Sequence, residues 1–213
     1  MRNYPEYLLD PSRVAVALID HQPQMYFGVS SDARGAIKNN AAMLLEAAKV
    51  FSVPCILTTV TAATFAGGLI SDLRDILPAA QVIDRTNLNA WEDANFKKAV
   101  QNTGRREIIL AGLWTEICVT LPALTMMADG YKVYAAVDAC GGASRTAHRA
   151  AVERMLQSGV IPLTAQQVLL ELQRDWGDKT TYSQVMGVVK AHGGAYGLGV
   201  EYTETMTLPA PAQ

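Results

Sequence analysis

The chain has 213 residues, enough for one large hydrophobic core, and half of them are hydrophobic while 18% are charged. These proportions exclude a disordered chain, and a formal charge of −2 provides no basic surface for nucleic acid. No segment supplies the roughly 18 uninterrupted apolar residues of a membrane-spanning helix, and the N-terminal stretch is too polar for a signal peptide, so we expect a cytoplasmic protein with no membrane partner.

Short apolar runs alternate with helical patterns along the chain. Six runs rich in β-branched residues have the nearly continuous apolar character of strands buried on both faces: 13–20, 53–60, 81–85, 107–113, 132–139 and 160–168. Four segments carry apolar residues at helical spacing and end in polar residues or glycine: 32–52, 89–104, 115–130 and 144–159. The alternation predicts a three-layer α/β/α sandwich around a six-stranded, mostly parallel, Rossmann-like sheet, for which we assume the order 3-2-1-4-5-6.

One domain is expected over residues 1–190, followed by a C-terminal tail over 191–213. The tail is rich in glycine and then in proline, and its pattern is too weak to build a core of its own. Such a segment either frays or lies on a neighbour. We favour packing on a neighbouring subunit, because its glycines and tyrosines allow close backbone approach with aromatic burial.

Polar residues at the carboxyl ends of the predicted strands are the candidates for chemistry, because ligands of open parallel sheets bind beyond those ends. Asp20 ends the first strand, Arg85 the third, and Cys118 follows the fourth at the predicted start of a helix. A helix N-terminus stabilises a thiolate and lowers its pKa, which favours Cys118 as a nucleophile over Cys55 in a strand and Cys140 before two glycines. Simple burial of an unpaired cysteine is the alternative.

Histidine is the usual base for a cysteine nucleophile, but none is well placed here. His21 directly follows Asp20 and would point away from it, His148 lies within a predicted helix, and His192 falls in the tail. A carboxylate and a cation remain as the partners of Cys118. The three cysteines form no C-x-x-C pair, which indicates free thiols rather than disulfides or a thiolate metal site.

Three motifs in order, "ALIDHQPQ", "IDRTNLNAW" and "AGLWTEICVTLPAL", resemble the isochorismatase-like cysteine hydrolase family, and most closely its YcaC-like branch. The resemblance implies that Asp20 is the general base and acid and that Cys118 is the nucleophile. Arg85 stands where the family has a lysine; a guanidinium stays protonated, so Arg85 would position the other two groups by charge and hydrogen bonds. A surface ion pair of Arg85 with Asp84 or Glu92 is the alternative.

The resemblance also implies a cis peptide bond between Leu113 and Trp114, and an oxyanion hole formed by the backbone N–H groups of Trp114 and Cys118. Aromatic residues around the site could line an apolar pocket, or could belong to the core or a subunit interface. The candidate substrate contacts are Gln22, Phe27, Asn89 and Trp91.

The implied reaction is hydrolysis of a C–N bond in a small amide or carbamoyl compound through a thioester acyl-enzyme. No cofactor and no metal are expected, because the stretch "TTVTAATFAGG" lacks the histidines that nicotinamidase-type relatives carry there. The YcaC-like branch implies a large homo-oligomer, with an octamer as the candidate state. A nucleotide-binding oxidoreductase is disfavoured because "DHQPQ" contains no G-x-G-x-x-G. A non-catalytic or redox-sensing oligomeric binding protein on the same fold stays open.

Overall fold

A single parallel sheet forms the centre of the computed structural model, which describes residues 6–207. Its strands are β1 (Val14–Ile19), β2 (Cys55–Val60), β3 (Val82–Arg85), β4 (Glu107–Gly112), β5 (Lys132–Ala136) and β6 (Ile161–Leu163). All five pairings are parallel and the order is β3-β2-β1-β4-β5-β6. The predicted fold class and strand order are therefore confirmed.

Helices cover the sheet, as a parallel sheet with two apolar faces requires. They are α1 (Pro23–Phe27), α2 (Arg34–Val50), α3 (Ser71–Arg74), α4 (Ala94–Asn102), α5 (Thr120–Ala128), α6 (Arg145–Gln157), α7 (Ala165–Gln173), α8 (Tyr182–His192) and α9 (Ala195–Tyr202). Helix α2 packs against α7 and α8, whereas α5 packs against α6. The four predicted helical segments contain α2, α4, α5 and α6.

The close contact between β1 and β4 fixes the place where the strand order reverses. All six residues of β1 are buried, and the register pairs Ile19 with Gly112 at the carboxyl ends of the two strands. A Cβ atom at Gly112 would lie 2.5 Å from the carbonyl oxygen of Ile19, so only glycine allows this approach. The residues that follow Ile19 and Gly112 therefore start side by side at the reversal point.

The predicted end of the sixth strand is wrong. The sixth strand was expected over 160–168, but it ends at Leu163, and α7 begins at Ala165. The reason is local, because the side chain of Thr164 accepts a hydrogen bond from the backbone N–H of Gln167 and caps a new helix.

The tail is also more ordered than expected. Residues 195–202 form α9, which packs on α8 of the same chain. A Cβ atom at Gly197 would lie 2.3 Å from the carbonyl oxygen of Val189, so the glycines that weaken the helical pattern are what lets the two helices touch. Residues 208–213 of the predicted tail lie outside the described residues, and packing of the tail on a neighbouring subunit stays a prediction.

Candidate active site

Three loops at the carboxyl edge of the sheet bring the predicted site residues together. Asp20 directly follows β1 in a left-handed conformation, with a φ of 57°, and Arg85 is the last residue of β3. Cys118 lies after β4 in a π-helical turn, Thr115–Val119, which we call the Cys118 turn. A left-handed φ is unfavourable for aspartate and is often found at functional positions.

Arg85 and Asp20 form a buried ion pair. The Arg85 Nη2 atom donates to Asp20 Oδ2 at 2.7 Å, and neither side chain is exposed to solvent. Arg85 Nη1 donates to the backbone carbonyl of Asn87. The alternative of a surface ion pair for Arg85 is therefore wrong. Asp84 instead accepts from the Thr59 hydroxyl at 2.9 Å.

This ion pair is incompletely hydrogen-bonded. Within residues 6–207, neither Asp20 Oδ1 nor Arg85 Nε has a well-aligned hydrogen-bond partner. Buried charged groups usually saturate their hydrogen bonds, because an unsatisfied one is costly to remove from water. The two atoms without a partner belong to Asp20 and Arg85, the side chains predicted to act together with Cys118.

The pKa of Asp20 is raised to about 6. Burial is the largest cause, since it disfavours the charged carboxylate, and the negative charge of Asp84 acts in the same direction. The charge of Arg85 and hydrogen bonding from Cys118 and Arg85 lower the pKa and offset part of the burial. A carboxylate with this pKa is mostly ionised at neutral pH and can still exchange a proton there.

The Cys118 sulfur is a buried thiol rather than a stable thiolate. Its residue is 2% exposed, and burial together with the charge of Asp20 raises the thiol pKa to about 12, although Arg85 and the backbone N–H of Trp114 act to lower it. The prediction that a helix start lowers this pKa is wrong. Helix α5 begins only at Thr120, and burial beside a carboxylate outweighs the positive end of the helix.

The other two cysteines show that the thiol pKa alone does not single out Cys118. Burial raises the pKa of Cys55 and that of Cys140 to about 12 as well. The Cys140 sulfur contacts the carbonyl oxygen of Ala136 at 3.3 Å, whereas the Cys118 sulfur lies close enough to Asp20 for that carboxylate to raise its pKa. A neighbouring proton acceptor therefore distinguishes Cys118.

Trp114 connects the end of β4 to the sulfur. The peptide bond between Leu113 and Trp114 is cis, and the backbone N–H of Trp114 lies close enough to Cys118 to act to lower its pKa. The indole Nε1 donates to the carbonyl oxygen of Met25 at 2.9 Å, which fixes the ring beneath α1. One of the two predicted oxyanion donors thus lies at the sulfur.

Three of the four predicted substrate contacts have structural partners instead. The buried Gln22 amide donates to Val60 O at 3.0 Å and accepts from Val60 N at 2.8 Å. Asn89 caps the turn that contains Trp91, and Trp91 is 4% exposed with its Nε1 bonded to Asp129. Their polar atoms are used within the protein, and contact of these three residues with a substrate stays a prediction.

Phe27, the fourth predicted contact, is 73% exposed. It borders a cleft of about 460 Å³ whose wall also includes Tyr26, Arg34 and Lys38. Neither this cleft nor one of about 550 Å³ between α2 and α8 is lined by Asp20, Arg85 or Cys118. Phe27 therefore stays a predicted contact on the exposed surface, while the three central residues are buried.

Sequence reasoning missed a group of polar residues around the Cys118 turn. His148 Nδ1 and the buried Thr115 hydroxyl are 2.8 Å apart, and Glu116 Oε1 accepts from the backbone N–H of Ala143 at 2.9 Å. The sequence predicts His148 to lie within a helix and does not indicate a role near Cys118. The position of His148 near the N-terminus of α6, just after the carboxyl edge of β5, was the signal that could have identified it.

The described residues contain neither a cluster of side chains suited to a metal ion nor a helix suited to a membrane. Among residues 6–207, no group of three or more His, Cys, Asp or Glu side chains is arranged to hold a metal ion. In the same part of the chain, no helix combines the length and apolar character needed to cross a bilayer.

Comparisons with known proteins agree on one family. The family model for the isochorismatase domain matches residues 14–167. The "Probable hydrolase YcaC" of Escherichia coli K12 is 37% identical over 173 residues, covering 81% of this chain and 83% of its own. The crystal structure of the E. coli YcaC gene product, described as an octameric hydrolase of unknown specificity, has a TM-score of 0.90 at 34% identity and covers 96% of this chain and 100% of its own. YcaC from Pseudomonas aeruginosa, with hexane-2,5-diol and covalent acrylamide, has a TM-score of 0.89 at 31% identity and covers 95% and 100%.

Proposed function

The chain belongs to the isochorismatase family, and on that premise we propose that it is a cysteine hydrolase of small amide or carbamoyl compounds that works through a thioester acyl-enzyme. The observation that carries the proposal is the buried Cys118 thiol beside Asp20, whose pKa of about 6 suits proton transfer near neutral pH. The covalent acrylamide in the P. aeruginosa relative supports a reactive nucleophile in this branch of the family.

In the first half of the proposed reaction, Asp20 takes the thiol proton as the Cys118 sulfur attacks the amide carbonyl carbon. Arg85 lowers the pKa of Asp20 against the effect of burial, so the carboxylate is available as a base at neutral pH. The negative charge moves from Asp20 to the substrate oxygen, where the backbone N–H groups of Trp114 and Cys118 would stabilise it. The protonated Asp20 then gives its proton to the leaving nitrogen as the C–N bond breaks.

The second half of the reaction reuses the same groups. Asp20, again ionised, accepts a proton from a water molecule that attacks the thioester carbonyl. Collapse of the second tetrahedral intermediate breaks the C–S bond and returns a proton from Asp20 to the Cys118 sulfur. The acid product leaves, and the buried thiol beside a carboxylate is restored.

A panel of small amides and carbamates tests this proposal by release of ammonia or amine. Cys118→Ala should abolish turnover of any substrate that the wild-type protein hydrolyses, because the acyl-enzyme cannot form. Cys140→Ala is the matched control, since Cys140 is an equally buried thiol with a pKa of about 12 but contacts a backbone carbonyl. Turnover that survives Cys118→Ala, or a panel without any turnover, contradicts the proposal.

The burial and pKa of Cys118 also bear on the alternative function, a redox-sensing or non-catalytic binding protein. Redox-sensing cysteines are accessible and have low pKa values, whereas Cys118 is buried and its pKa is raised. This combination disfavours a redox sensor. A non-catalytic binding protein is the remaining alternative, and it predicts no turnover together with saturable binding of a small molecule.

We further propose that the chain forms an octamer, as the E. coli relative does, with the tail on a neighbouring subunit. Helix α9 supports this, because Leu198 and Tyr202 lie four residues apart on one face and are 69% and 57% exposed. The double substitution Leu198→Glu and Tyr202→Glu should reduce the molecular mass measured by analytical ultracentrifugation. Leu156→Glu, at an exposed position on α6, is the control and should leave it unchanged. An unchanged mass in the double variant contradicts tail packing.

A further inference from the structure

The Cys118 turn is fastened to the segment that follows β5. The backbone N–H of Thr115 donates to the carbonyl oxygen of Gly141 at 2.9 Å. The side chain of Glu116 accepts from the backbone N–H of Ala143. Both bonds join the turn to the loop between β5 and α6, so the position of the turn depends on that loop as well as on β4.

A third bond comes from a side chain on α6. His148 Nδ1 lies 2.8 Å from the Thr115 hydroxyl, and Thr115 is fully buried. The first turn of α6 is itself fixed, because the Ser144 hydroxyl accepts from the backbone N–H of Ala147 at 3.0 Å. The imidazole is therefore held on a rigid helix and hydrogen-bonds to Thr115, the first residue of the Cys118 turn.

Thr115 is one residue away from the amide that acts on the sulfur. The backbone N–H of Trp114 acts to lower the pKa of Cys118, and the carbonyl oxygen of Thr115 accepts from the Thr120 hydroxyl at 2.7 Å. A shift of Thr115 would move the Trp114 amide relative to Cys118. We propose that His148 is a positioning residue, which holds Thr115 by its hydrogen bond and thereby keeps the Trp114 amide aimed at the reacting atoms. The inference rests on the proposed function of Cys118 as the nucleophile.

The charges around His148 are compatible with this role. Burial lowers the pKa of His148, while the negative charges of Glu116 and Asp32 act to raise it, and the net direction is downward. The ring is therefore neutral at neutral pH and has one nitrogen free to accept a hydrogen bond from a hydroxyl. Helix α5 and strand β6, which also pack against α6, carry no charged side chain.

Acrylamide alkylation of Cys118, followed by peptide mass spectrometry on the full-length protein, tests the inference without a known substrate. His148→Leu should slow alkylation about five- to tenfold, the value of one lost hydrogen bond. His148→Asn should react within about twofold of the wild type, because an asparagine amide can occupy the Nδ1 position. The matched control is His192→Leu, since His192 is also half-buried and bonded through Nδ1, to Asn39 at 3.0 Å, and should leave the rate unchanged.

A second variant separates the hydrogen bond from general packing. Thr115→Val removes the hydroxyl but keeps the shape, and it should slow alkylation as much as His148→Leu does. The double variant should be no slower than either single one, because both remove the same bond. Equal rates for wild type and His148→Leu, equal slowing by His148→Asn and His148→Leu, or additive effects would each overturn the inference. The proposed function fails differently, through a wild-type Cys118 that reacts no faster than Cys140.

Discussion

Two arginine–carboxylate clusters lie at opposite ends of β1 and behave in opposite ways. At the amino end, Arg13 donates from Nε to Glu107 at 2.7 Å and from Nη1 to Asp10 at 3.0 Å, and these side chains keep some contact with solvent. At the carboxyl end, Arg85 pairs with Asp20 out of contact with solvent, and each partner keeps an unsatisfied atom. The same kind of ion pair therefore has its hydrogen bonds satisfied at the amino end of β1 and partly unsatisfied at the carboxyl end.

The pKa values of the two aspartates reflect this difference. Burial acts to raise the pKa of Asp10, but hydrogen bonds from Ser12 and the charge of Arg13 outweigh it, so the pKa is lowered. At Asp20, burial prevails over Arg85 and raises the pKa to about 6. An arginine partner therefore does not determine the protonation of an aspartate by itself. Whether the pKa of the aspartate rises or falls depends on how much hydration the carboxylate loses on burial and on how far its partners compensate for that loss.

The largest expected effect is that of removing the buried arginine. Arg85→Met should slow Cys118 alkylation at pH 7 by about 10² to 10⁴, because an unpaired, buried Asp20 becomes protonated and can no longer accept the thiol proton. Arg85→Lys keeps the charge and should stay within about tenfold of the wild type. Alkylation rates from mass spectrometry measure both.

Arg13→Met is the matched control at the other end of β1. It should leave the alkylation rate unchanged and reduce the free energy of unfolding by about 2 kcal/mol, since it removes hydrogen bonds to two carboxylates. If Arg85→Met and Arg13→Met have the same effect on alkylation, the contrast between the two clusters is wrong.

The second prediction concerns stability as a function of pH. The folded pKa of Asp20 lies above the ordinary value, so its ionisation destabilises the folded state by on the order of 3 kcal/mol above pH 6, an effect absent below about pH 4. The folded pKa of Asp10 is lowered, so Asp10 stabilises the folded state above the ordinary aspartate pKa and loses that effect as the pH falls.

Urea unfolding of wild type, Asp20→Asn and Asp10→Asn at about pH 2, pH 4 and pH 7 measures these two terms. Relative to Asp20→Asn, the wild type should lose stability between pH 4 and pH 7. Relative to Asp10→Asn, it should gain stability between about pH 2 and pH 4, by a smaller amount because Asp10 is partly exposed. Shifts of the same sign in both comparisons would contradict the opposite protonation of the two carboxylates.

The sequence predicted the fold well because parallel strands buried on both faces leave continuous apolar runs. The rule that side chains after parallel strands share one edge placed Asp20 and Cys118 together, whereas the partnership of both with Arg85 was implied by the resemblance to the isochorismatase-like family. Helix α9 was missed because Gly197 serves an interhelical contact that no local pattern records.

The predicted chemistry of the site was less accurate for physical reasons. The pKa of Cys118 depends on burial and on the distance to Asp20, and neither can be read from the position of a cysteine before a helix. The amides of Gln22 and Asn89 brace loops within the protein, and an amide that braces a loop has the same sequence signature as one that binds a ligand, so the sequence does not separate the two roles. His148 was set aside because its partner, Thr115, is 33 residues away in the chain.

The smallest expected effect tests whether the two ends of β1 are independent. The Ser12 hydroxyl donates to Asp10 Oδ1 at 2.7 Å on an exposed turn, so Ser12→Ala should lower the free energy of unfolding by less than about 1 kcal/mol. Urea unfolding at pH 7 measures this loss, and it should shrink at low pH, where Asp10 is protonated. The Cys118 alkylation rate should not change, because the length of β1 separates the two clusters. A changed alkylation rate would contradict the independence of the two ends. It would show that the Arg13 cluster influences the reactivity of Cys118 through β1.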